Sequence, residues 1–255
     1  MEQHGIALLI DADNCPAGKI TEILDELSKY GVINIRRAYG DWKSPLLNGW
    51  VEVLHEYAIQ PVQQFAYTKG KNATDSAIII DAMDLLHGHK LEAVGIASSD
   101  SDFTPLAMRL RAAGLKVFGF GERKTPLPFV NACTKFLFLE SLEHGTAGLP
   151  GAVAQSGQPR KTTNELRGDT RLVSHLRSAV AAVSDETGWA ALAGVGSHIN
   201  KNWPAFDQRN YGYAKLSDLV IASELFELRK EQNHMYLRTI KKNGTKPVVT
   251  EGQGK

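Results

Sequence analysis

The sequence predicts an α/β fold: a three-layer domain in which helices cover both faces of a mostly parallel sheet, followed by a small α+β domain. Strand-length apolar runs alternate with helical segments over residues 1–140, and such alternation produces βαβ units with right-handed crossovers. The composition then changes, and a group of three helices and a hairpin follows residue 169. With 255 residues, 43% of them hydrophobic, the chain can bury a substantial core.

Six apolar runs of the first domain have the length of strands, and they lie at 6–10, 32–39, 59–66, 92–98, 115–120 and 135–139. Between most of these runs, apolar residues recur at helical spacing, at 16–30, 44–58, 75–87 and 103–113. In a doubly wound sheet with strand order 3-2-1-4-5, the first and fourth strands are neighbours. Ligands of such sheets bind at the carboxyl edge, where the chain reverses direction.

The second half of the chain is divided by composition. The segment 141–168 is rich in Gly, Pro, Gln, Ser and Thr and predicts a flexible linker between a domain at 1–140 and one at 169–240. In the second domain, helices are expected at 170–184, before Pro204 and near 214–222, with a hairpin from 225–229 and 235–240. This order is winged-helix-like. The basic segment 241–255 is predicted to be a disordered tail.

Composition narrows the class of protein further. The two cysteines, Cys15 and Cys133, form no CxxC motif, so neither a disulfide framework nor a thiolate zinc site is indicated. The apolar run IALLI is too short for a membrane span or a signal peptide, so we expect a cytoplasmic protein with no membrane partner. Residues 1–140 have a charge balance of −3 (14 basic, 17 acidic) and residues 169–255 one of +3 (12 basic, 9 acidic), which weakly favours a polyanion-binding second domain.

Acidic residues follow the strands of the first domain. Asp11 and Asp13 follow strand one, Asp41 follows strand two, Asp75 follows the loop after strand three, Asp100 and Asp102 follow strand four, and Glu122 follows strand five. In the order 3-2-1-4-5, Asp11 and Asp100 flank the switch point. Carboxylates brought close together raise one another's pKa unless a cation relieves the repulsion. Mg²⁺ and Mn²⁺ are hard ions that prefer oxygen ligands, and they support phosphodiester cleavage. The acidic edge therefore predicts a divalent metal and an anionic substrate.

Helix capping is the alternative explanation for these acids, because Asp is a favoured N-cap and also suits the positive end of a helix. One cap per helix accounts for one acid per loop, but for neither the doubled acids of "DAD" nor those of "DSD". In "IASSDSDFTP" we expect Asp102 or Thr104 to cap the helix that Pro105 helps to begin. Asp100 is then left as the metal ligand, and Asp102 as a ligand or a cap.

A phosphatase is a remote alternative. A "DxD" motif after a first strand is typical of haloacid-dehalogenase-like enzymes, in which the first Asp, here Asp11, is a covalent nucleophile. Those enzymes place Thr or Val after the motif and insert a flap there. Here Asn14 follows, and a helix begins at once near Pro16.

These motifs together resemble the NYN domain family, a LabA-like branch of the PIN-like ribonuclease superfamily. The similarity covers essentially all of 5–140, in order, and the matching segments are LLIDADN (Leu8–Asn14), RRAYGDW (Arg36–Trp42), KGKNATDSAIIIDAMDLL (Lys69–Leu86), SSDSDFTPLAMRLRAAG (Ser98–Gly114), VFGFGERKTP (Val117–Pro126) and ACTKFLFL (Ala132–Leu139). The resemblance implies a metal-dependent ribonuclease with Mg²⁺ or Mn²⁺.

The resemblance also assigns roles to residues. It implies that Asp11, Asp75, Asp100 and Asp102 are metal ligands and catalytic residues, with Asn14 as a neighbouring polar residue of the site. From their place in the loop before Asp75, Lys69 and Lys71 are expected to contact phosphates. Trp42 could stack on a base or could equally pack against the core.

The C-terminal part resembles the OST-HTH (LOTUS) domain, a winged-helix-like RNA-binding module, over about 170–238. The matching residues are FDQRNYGYAKLSDLV (Phe206–Val220) and the following ELFELR and MYLR. Arg209, Tyr211 and Lys215 are the expected RNA contacts, although Tyr211 could equally belong to the core. The leading hypothesis is a metal-dependent endoribonuclease with an appended RNA-binding module, and a non-catalytic RNA-binding adaptor is the alternative.

Overall fold

The protein consists of two compact units, Met1–Glu143 and His144–Lys255. The computed structural model describes residues 5–65, 73–142, 159–231, 234–240 and 249–251. Within those ranges, every helix is too short or too polar for a bilayer span.

The N-terminal unit is a three-layer α/β domain, as predicted. Its strands are β1 (Gly5–Asp11), β2 (Ile33–Gly40), β3 (Gln60–Gln63), β4 (Leu91–Ala97), β5 (Lys116–Gly121) and β6 (Lys135–Phe138). Its helices are α1 (Ile20–Ser28), α2 (Asn48–Glu56), α3 (Ala73–Gly88), α4 (Thr104–Ala112), α5 (Leu127–Ala132) and α6 (Leu139–Leu142). All neighbouring strands pair in parallel, in the order β3-β2-β1-β4-β5-β6. The order 3-2-1-4-5 considered above is the one that the first five strands adopt, and β6 lies beside β5.

The central strand β1 is buried on both faces. Its residues Ile6 to Ile10 are 0% exposed, because β2 and β4 flank the strand and helices cover the sheet. A strand covered on both faces is a continuous apolar run rather than an alternating one, which explains the sequence IALLI. On one face of the sheet, β1 shares a hydrophobic core with residues of α1, α2 and α6.

The edge strand β3 is shorter than the run 59–66 that the sequence indicates. It has four residues, and it pairs only with β2. Pro61 has no backbone N–H, and proline inside a sheet is confined to edge strands. Gln60 is exposed and Gln63 is half-buried, as expected for polar residues of an edge strand.

Helix α3 is tied to the sheet by Asp81. This carboxylate forms an ion pair with Arg37 and accepts a hydrogen bond from the Tyr39 hydroxyl, both from β2. The helix is apolar on several sides, so its pattern alone does not fix its rotation, and the Asp81 contacts supply that constraint. They help to hold the first turn, with Asp75, toward the carboxyl edge of the sheet.

Two short helices lie where the sequence shows no helical pattern. They are α5 and α6, of six and four residues. Segments of this length contain too few turns for apolar periodicity to appear, and their formation depends on tertiary packing. Phe129 and Val130 of α5 and Leu142 of α6 are buried.

The C-terminal unit combines helices with a small sheet. Its elements are α7 (Thr163–Gly168), α8 (Thr170–Val183), β7 (Ala190–Ala191), α9 (Leu192–Asn202), α10 (Leu216–Ser223), β8 (Phe226–Glu231), β9 (His234–Thr239) and β10 (Val249–Glu251). The three predicted helices and the hairpin are present. The strand order is β10-β8-β9-β7, and β9 pairs antiparallel with both β7 and β8.

Two segments contain more structure than the sequence indicates. Helix α7 lies inside the predicted linker 141–168, and it begins with a capping box between Thr162 and Glu165. Leu166 of α7 is fully buried in the core of the C-terminal unit, so packing favours a helix that composition alone does not suggest. In the predicted disordered tail 241–255, β10 pairs in parallel with β8.

Gly119 of β5 offers a test of the packing beneath β6. A Cβ atom at this position would lie 2.8 Å from the Cys133 sulfur and would also overlap the ring of Phe136. We expect Gly119→Ala to lower the free energy of unfolding by about 1–3 kcal/mol through overpacking. Thermal unfolding followed by circular dichroism measures the change. The matched control is Gly49→Ala in α2, where a Cβ has no neighbour within 4 Å and stability should rise by up to about 1 kcal/mol; equal melting of the two variants would contradict the prediction.

Candidate metal centre at the carboxyl edge of the sheet

The pairing of β1 with β4 places two polar side chains side by side. Ile10 pairs with Ala97, so Asp11 and Ser98 leave the sheet at the same level. The Ser98 hydroxyl donates to Asp11 Oδ2 at 2.9 Å and accepts from the backbone N–H of Asp100 at 3.1 Å. Ser98 therefore links the end of β1 to the loop that carries Asp100.

Asp11 is a buried carboxylate with several donors. It is 1% exposed, and burial raises its pKa. The Asn14 amide donates to Oδ2 at 2.8 Å and the Asp13 N–H donates to Oδ1 at 3.2 Å. The hydrogen bonds from Asn14 and Ser98 stabilise the ionised form and oppose part of the burial effect on the pKa. The carboxylate is thereby held in one orientation.

Asp75 lies in the first turn of α3 and is 8% exposed. Burial raises its pKa to about 6, and the negative charges of Asp11, Asp100 and Asp102 add to the effect. A carboxylate in these surroundings is costly to ionise unless a positive charge is nearby.

Three carboxylates converge at this edge. One oxygen each from Asp75, Asp100 and Asp102 can be chosen so that all three lie within 4.8 Å of one another. Oxygens up to 4.8 Å apart can share one cation at the longer bonds of the range of about 2.0–2.6 Å typical of Mg²⁺ and Ca²⁺, and the shorter bonds of Mg²⁺ would draw the carboxylates closer together. The donor set is all oxygen and negative, and a dication would offset the charge repulsion on Asp75. The residues present therefore fit a hard divalent metal.

Asp11 is outside that group of three. Two protein donors already approach its Oδ2, although its charge reaches Asp75. Its assignment as a direct metal ligand, and that of Asn14 as a catalytic residue, stay predictions. In this structure Asn14 orients Asp11.

The capping expectation for the loop after β4 is wrong. Asp100, not Asp102 or Thr104, is the cap: its Oδ1 accepts from the Asp102 N–H at 2.9 Å at the start of a 3₁₀ turn, Ser101–Phe103. This turn precedes α4, whose own first turn has no side-chain cap, so the cap lies two residues before Asp102 and four before Thr104. Asp100 can serve as both cap and ligand, since its other oxygen is not used by the cap.

The structure does not show a role in the site for the other predicted residues of the first domain, Lys69, Lys71 and Trp42. Lys69 and Lys71 lie outside the described residues. Trp42 is half-buried and packs against the hydrophobic core beside α1 and α2, and its backbone N–H donates to Gln63 Oε1 at 3.1 Å. Packing is thus the role that the structure shows for Trp42, and stacking on a base stays a prediction.

The three predicted RNA contacts of the second domain differ in their surroundings. Arg209 forms a bidentate pair with the buried Asp207, with distances of 2.9 and 2.6 Å. Tyr211 is half-buried against the core, with the Lys161 ammonium 4.9 Å from its ring centre. Both residues have structural partners, and RNA contact by either stays a prediction. Lys215 is exposed at the start of α10.

Ser98 and Thr74 contact the acidic residues of this site, and neither of them was identified from the sequence. A serine at the end of an apolar strand is unremarkable by itself. Its position is informative once strand four is placed beside strand one, because the side chain level with Asp11 must then satisfy a buried carboxylate. Thr74 was missed for a related reason: its hydroxyl donates to Asp13 Oδ2 at 3.0 Å across a chain separation of 61 residues.

Two family models match the chain, one over each unit. The model of the NYN domain matches residues 5–140, and that of the OST-HTH/LOTUS domain matches residues 168–237. No curated protein matches the chain. A crystal structure of a protein of unknown function from Vibrio parahaemolyticus is 18% identical, covers 54% of this chain and 96% of that chain, and has a TM-score of 0.45. A solution structure of an uncharacterized protein from Nitrosomonas europaea is 31% identical, covers 39% of this chain and 94% of that chain, and has a TM-score of 0.27.

Asp75→Asn should stabilise the metal-free protein. The folded-state pKa of about 6 lies above the ordinary value of 3.8, so the ionised carboxylate lowers stability at pH 7. The gain on removing it should be about 3 kcal/mol at pH 7 and should shrink as the pH falls from about 6 to 4, where the folded protein binds the proton. Unfolding in EDTA across this pH range measures the gain. Asp84→Asn, at an exposed position of the same helix, is the control; an equal gain there would contradict the prediction.

Ser98→Ala should destabilise the N-terminal unit. The change removes one donor from buried Asp11 and the acceptor of the Asp100 N–H. Leaving such buried groups unsatisfied costs about 1–3 kcal/mol, which denaturant unfolding can measure. Ser28→Ala, at an exposed hydroxyl of α1, should change stability by less than about 0.5 kcal/mol. A Ser98→Ala protein as stable as the control would show that water replaces the lost hydroxyl.

Proposed function

The chain belongs to the NYN domain family, and from that premise we propose that it is a metal-dependent endoribonuclease with an RNA-binding module at its C-terminal end. The observation that supports this most directly is the convergence of Asp75, Asp100 and Asp102 within 4.8 Å at the switch point of the sheet. The OST-HTH/LOTUS match supports RNA as the polymer bound.

Each acidic residue has a distinct part in this proposal. Asp75, Asp100 and Asp102 would hold Mg²⁺ or Mn²⁺. Such a cation activates water and stabilises the negative charge that develops on a phosphodiester during hydrolysis. Asp11 contributes a fourth negative charge from a carboxylate that Asn14 and Ser98 orient, and it acts either as a further ligand or as an acceptor for a bound water.

Binding of a polyanion at this acidic site requires positively charged side chains nearby. Lys43 is exposed after β2, and Lys124 is exposed after β5, where it pairs with Glu122 at 2.6 Å. We propose that Lys69 and Lys71, in the loop before Asp75, contact the RNA phosphates. The positive charges of these lysines would attract the RNA phosphates to this edge of the sheet, which the four aspartates alone would repel.

Cleavage assays with matched variants test the proposal. The purified chain is incubated with single-stranded and with structured RNA, in Mg²⁺ or Mn²⁺ and in EDTA. We expect internal cleavage that requires the metal and falls by about 100-fold or more in Asp75→Asn and Asp100→Asn, because a ligand is lost. The control variant Asp84→Asn, which changes an exposed aspartate of α3, should cleave RNA at the wild-type rate. RNA binding without cleavage in every version would instead identify an adaptor.

Metal binding can be followed without turnover. Mn²⁺ should raise the melting temperature of the wild-type protein, because a ligand that binds only the folded state stabilises it. The shift should be much smaller in Asp75→Asn. Cleavage that persists in EDTA and in both aspartate variants would point to a contaminating nuclease and overturn the assignment.

A further inference from the structure

A groove of about 760 Å³ opens in the C-terminal unit between α9, the start of α10 and the β8–β9 hairpin. Its volume is within the range of roughly 300–1,000 Å³ that small-molecule sites occupy. We call it the α9–α10 groove, and the lining residues that matter here are Ser197, Asn200, Lys215, Leu216, Lys230 and Met235.

The floor of the groove is apolar and closely packed. Leu216 and Met235 are half-buried, and both are packed against the core of the unit. A Cβ atom at Gly196 would lie 3.2 Å from a Leu216 methyl, so glycine keeps the wall formed by α9 close to α10. This floor can cover one face of a flat aromatic ring.

The register of the β8–β9 hairpin places the Lys230 ammonium group beside the apolar floor. Lys230 pairs with Met235 across the hairpin, and Leu228 pairs with Leu237 two residues further along the same face. Because side chains alternate across a strand, Lys230 and Met235 continue the row that begins with buried Leu228 and Leu237. This row of side chains therefore extends from the buried core to the groove, where it ends with the ammonium group of Lys230.

The charge of the lining is one-sided. Lys215, Lys230 and His234 are exposed at its rim, and no acidic residue is among its described lining residues. Asp218 accepts from the Ser217 hydroxyl at 3.1 Å and occupies the first turn of α10, so the end of this helix is not a favourable anion site. An anion in the groove would be held by the lysine side chains.

The opposite face of the hairpin has aromatic and basic residues too, but in a closed arrangement. The guanidinium groups of Arg229 and Arg238 lie 4.6 and 4.7 Å from the centre of the Trp189 ring. Glu227 pairs with Arg238 at 2.5 Å. Because two guanidinium groups already contact the indole and that of Arg238 is paired, this face is less suited to stacking a base than the α9–α10 groove.

We propose that the α9–α10 groove binds one unpaired nucleotide of an RNA strand. The base lies on the Leu216 and Met235 floor, with Ser197 and Asn200 at its polar edge, and the flanking phosphates contact Lys215 and Lys230. Splayed-out bases of single strands are the parts of RNA that proteins read most readily. The inference rests on the proposed RNA-binding function of this unit and specifies where the RNA lies and which form it takes.

Fluorescence anisotropy with the full chain in EDTA tests the proposal. The probes are a labelled 12-nucleotide adenosine strand and a labelled RNA duplex of the same length. Lys215→Gln with Lys230→Gln should weaken single-strand binding at least 10-fold and reduce the slope of log affinity against log salt by about 1.4, since each phosphate contact on a single strand contributes about 0.7. The control, Arg177→Gln with Lys201→Gln, removes the same charge from exposed positions outside the groove and should change affinity less than twofold.

A second variant tests insertion of the base itself. Ser197→Trp places a large ring in the groove from an exposed position and should weaken single-strand binding at least fivefold, while the melting temperature stays that of the wild type. If this variant fails to fold, Ala193→Glu, also exposed in the lining, serves instead. Single-strand binding that the groove variants leave unchanged, or equal affinity for the duplex, would overturn the proposal. Failure of the wild-type chain to bind either RNA would overturn the RNA-binding function itself.

Discussion

The parallel pairing of β1 with β4 fixes the positions of the acidic side chains, because Ile10 lies opposite Ala97 and the next residue of each strand then emerges at the same edge. A one-residue slip would turn Asp11 toward the other face of the sheet. The burial of β1 on both faces opposes such a slip, since every residue from Ile6 to Ile10 is 0% exposed. The position of Asp11 thus depends on the preceding apolar residues of β1, which have no polar side chains of their own.

The site itself works against the stability of the fold. Burial raises the pKa of both Asp11 and Asp75, so neither carboxylate is placed where its ionised form is most stable. Hydrogen bonds from Asn14 and Ser98 offset part of this cost at Asp11, whereas the charges of Asp100 and Asp102 add to it at Asp75. A group that is destabilising alone and becomes favourable with a cation is expected at a functional site. This contrast separates Asp75 from Asp81, whose partners Arg37 and Tyr39 are supplied by the protein itself.

Much of the architecture could be predicted from the sequence, because long periodic segments and buried apolar strands are set by composition over many residues. The alternation of strands and helices, the acidic edge and the strands of the hairpin belong to this class. The predictions that are wrong concern local structure that depends on a single tertiary contact or turn. The cap at Asp100 depends on a 3₁₀ turn that apolar periodicity does not reveal, and α7 depends on the burial of Leu166 among residues far along the chain. The role of Ser98 depends on a partner 87 residues away, which no local pattern could indicate.

The two units have complementary charge, and this bears on how an acidic site could act on a polyanion. Residues 1–140 have a balance of −3, so RNA approaching the carboxylate edge gains little from long-range attraction before a cation is bound. If the chain has the proposed function, the basic C-terminal unit would supply that attraction through its covalent connection, because a tethered RNA-binding module raises the local concentration of RNA at the carboxylate edge. Affinity and chemistry can then be set independently, by lysines in one unit and by aspartates in the other. Such a division removes the conflict between gathering negative side chains to hold a metal and attracting a negatively charged substrate to the same place.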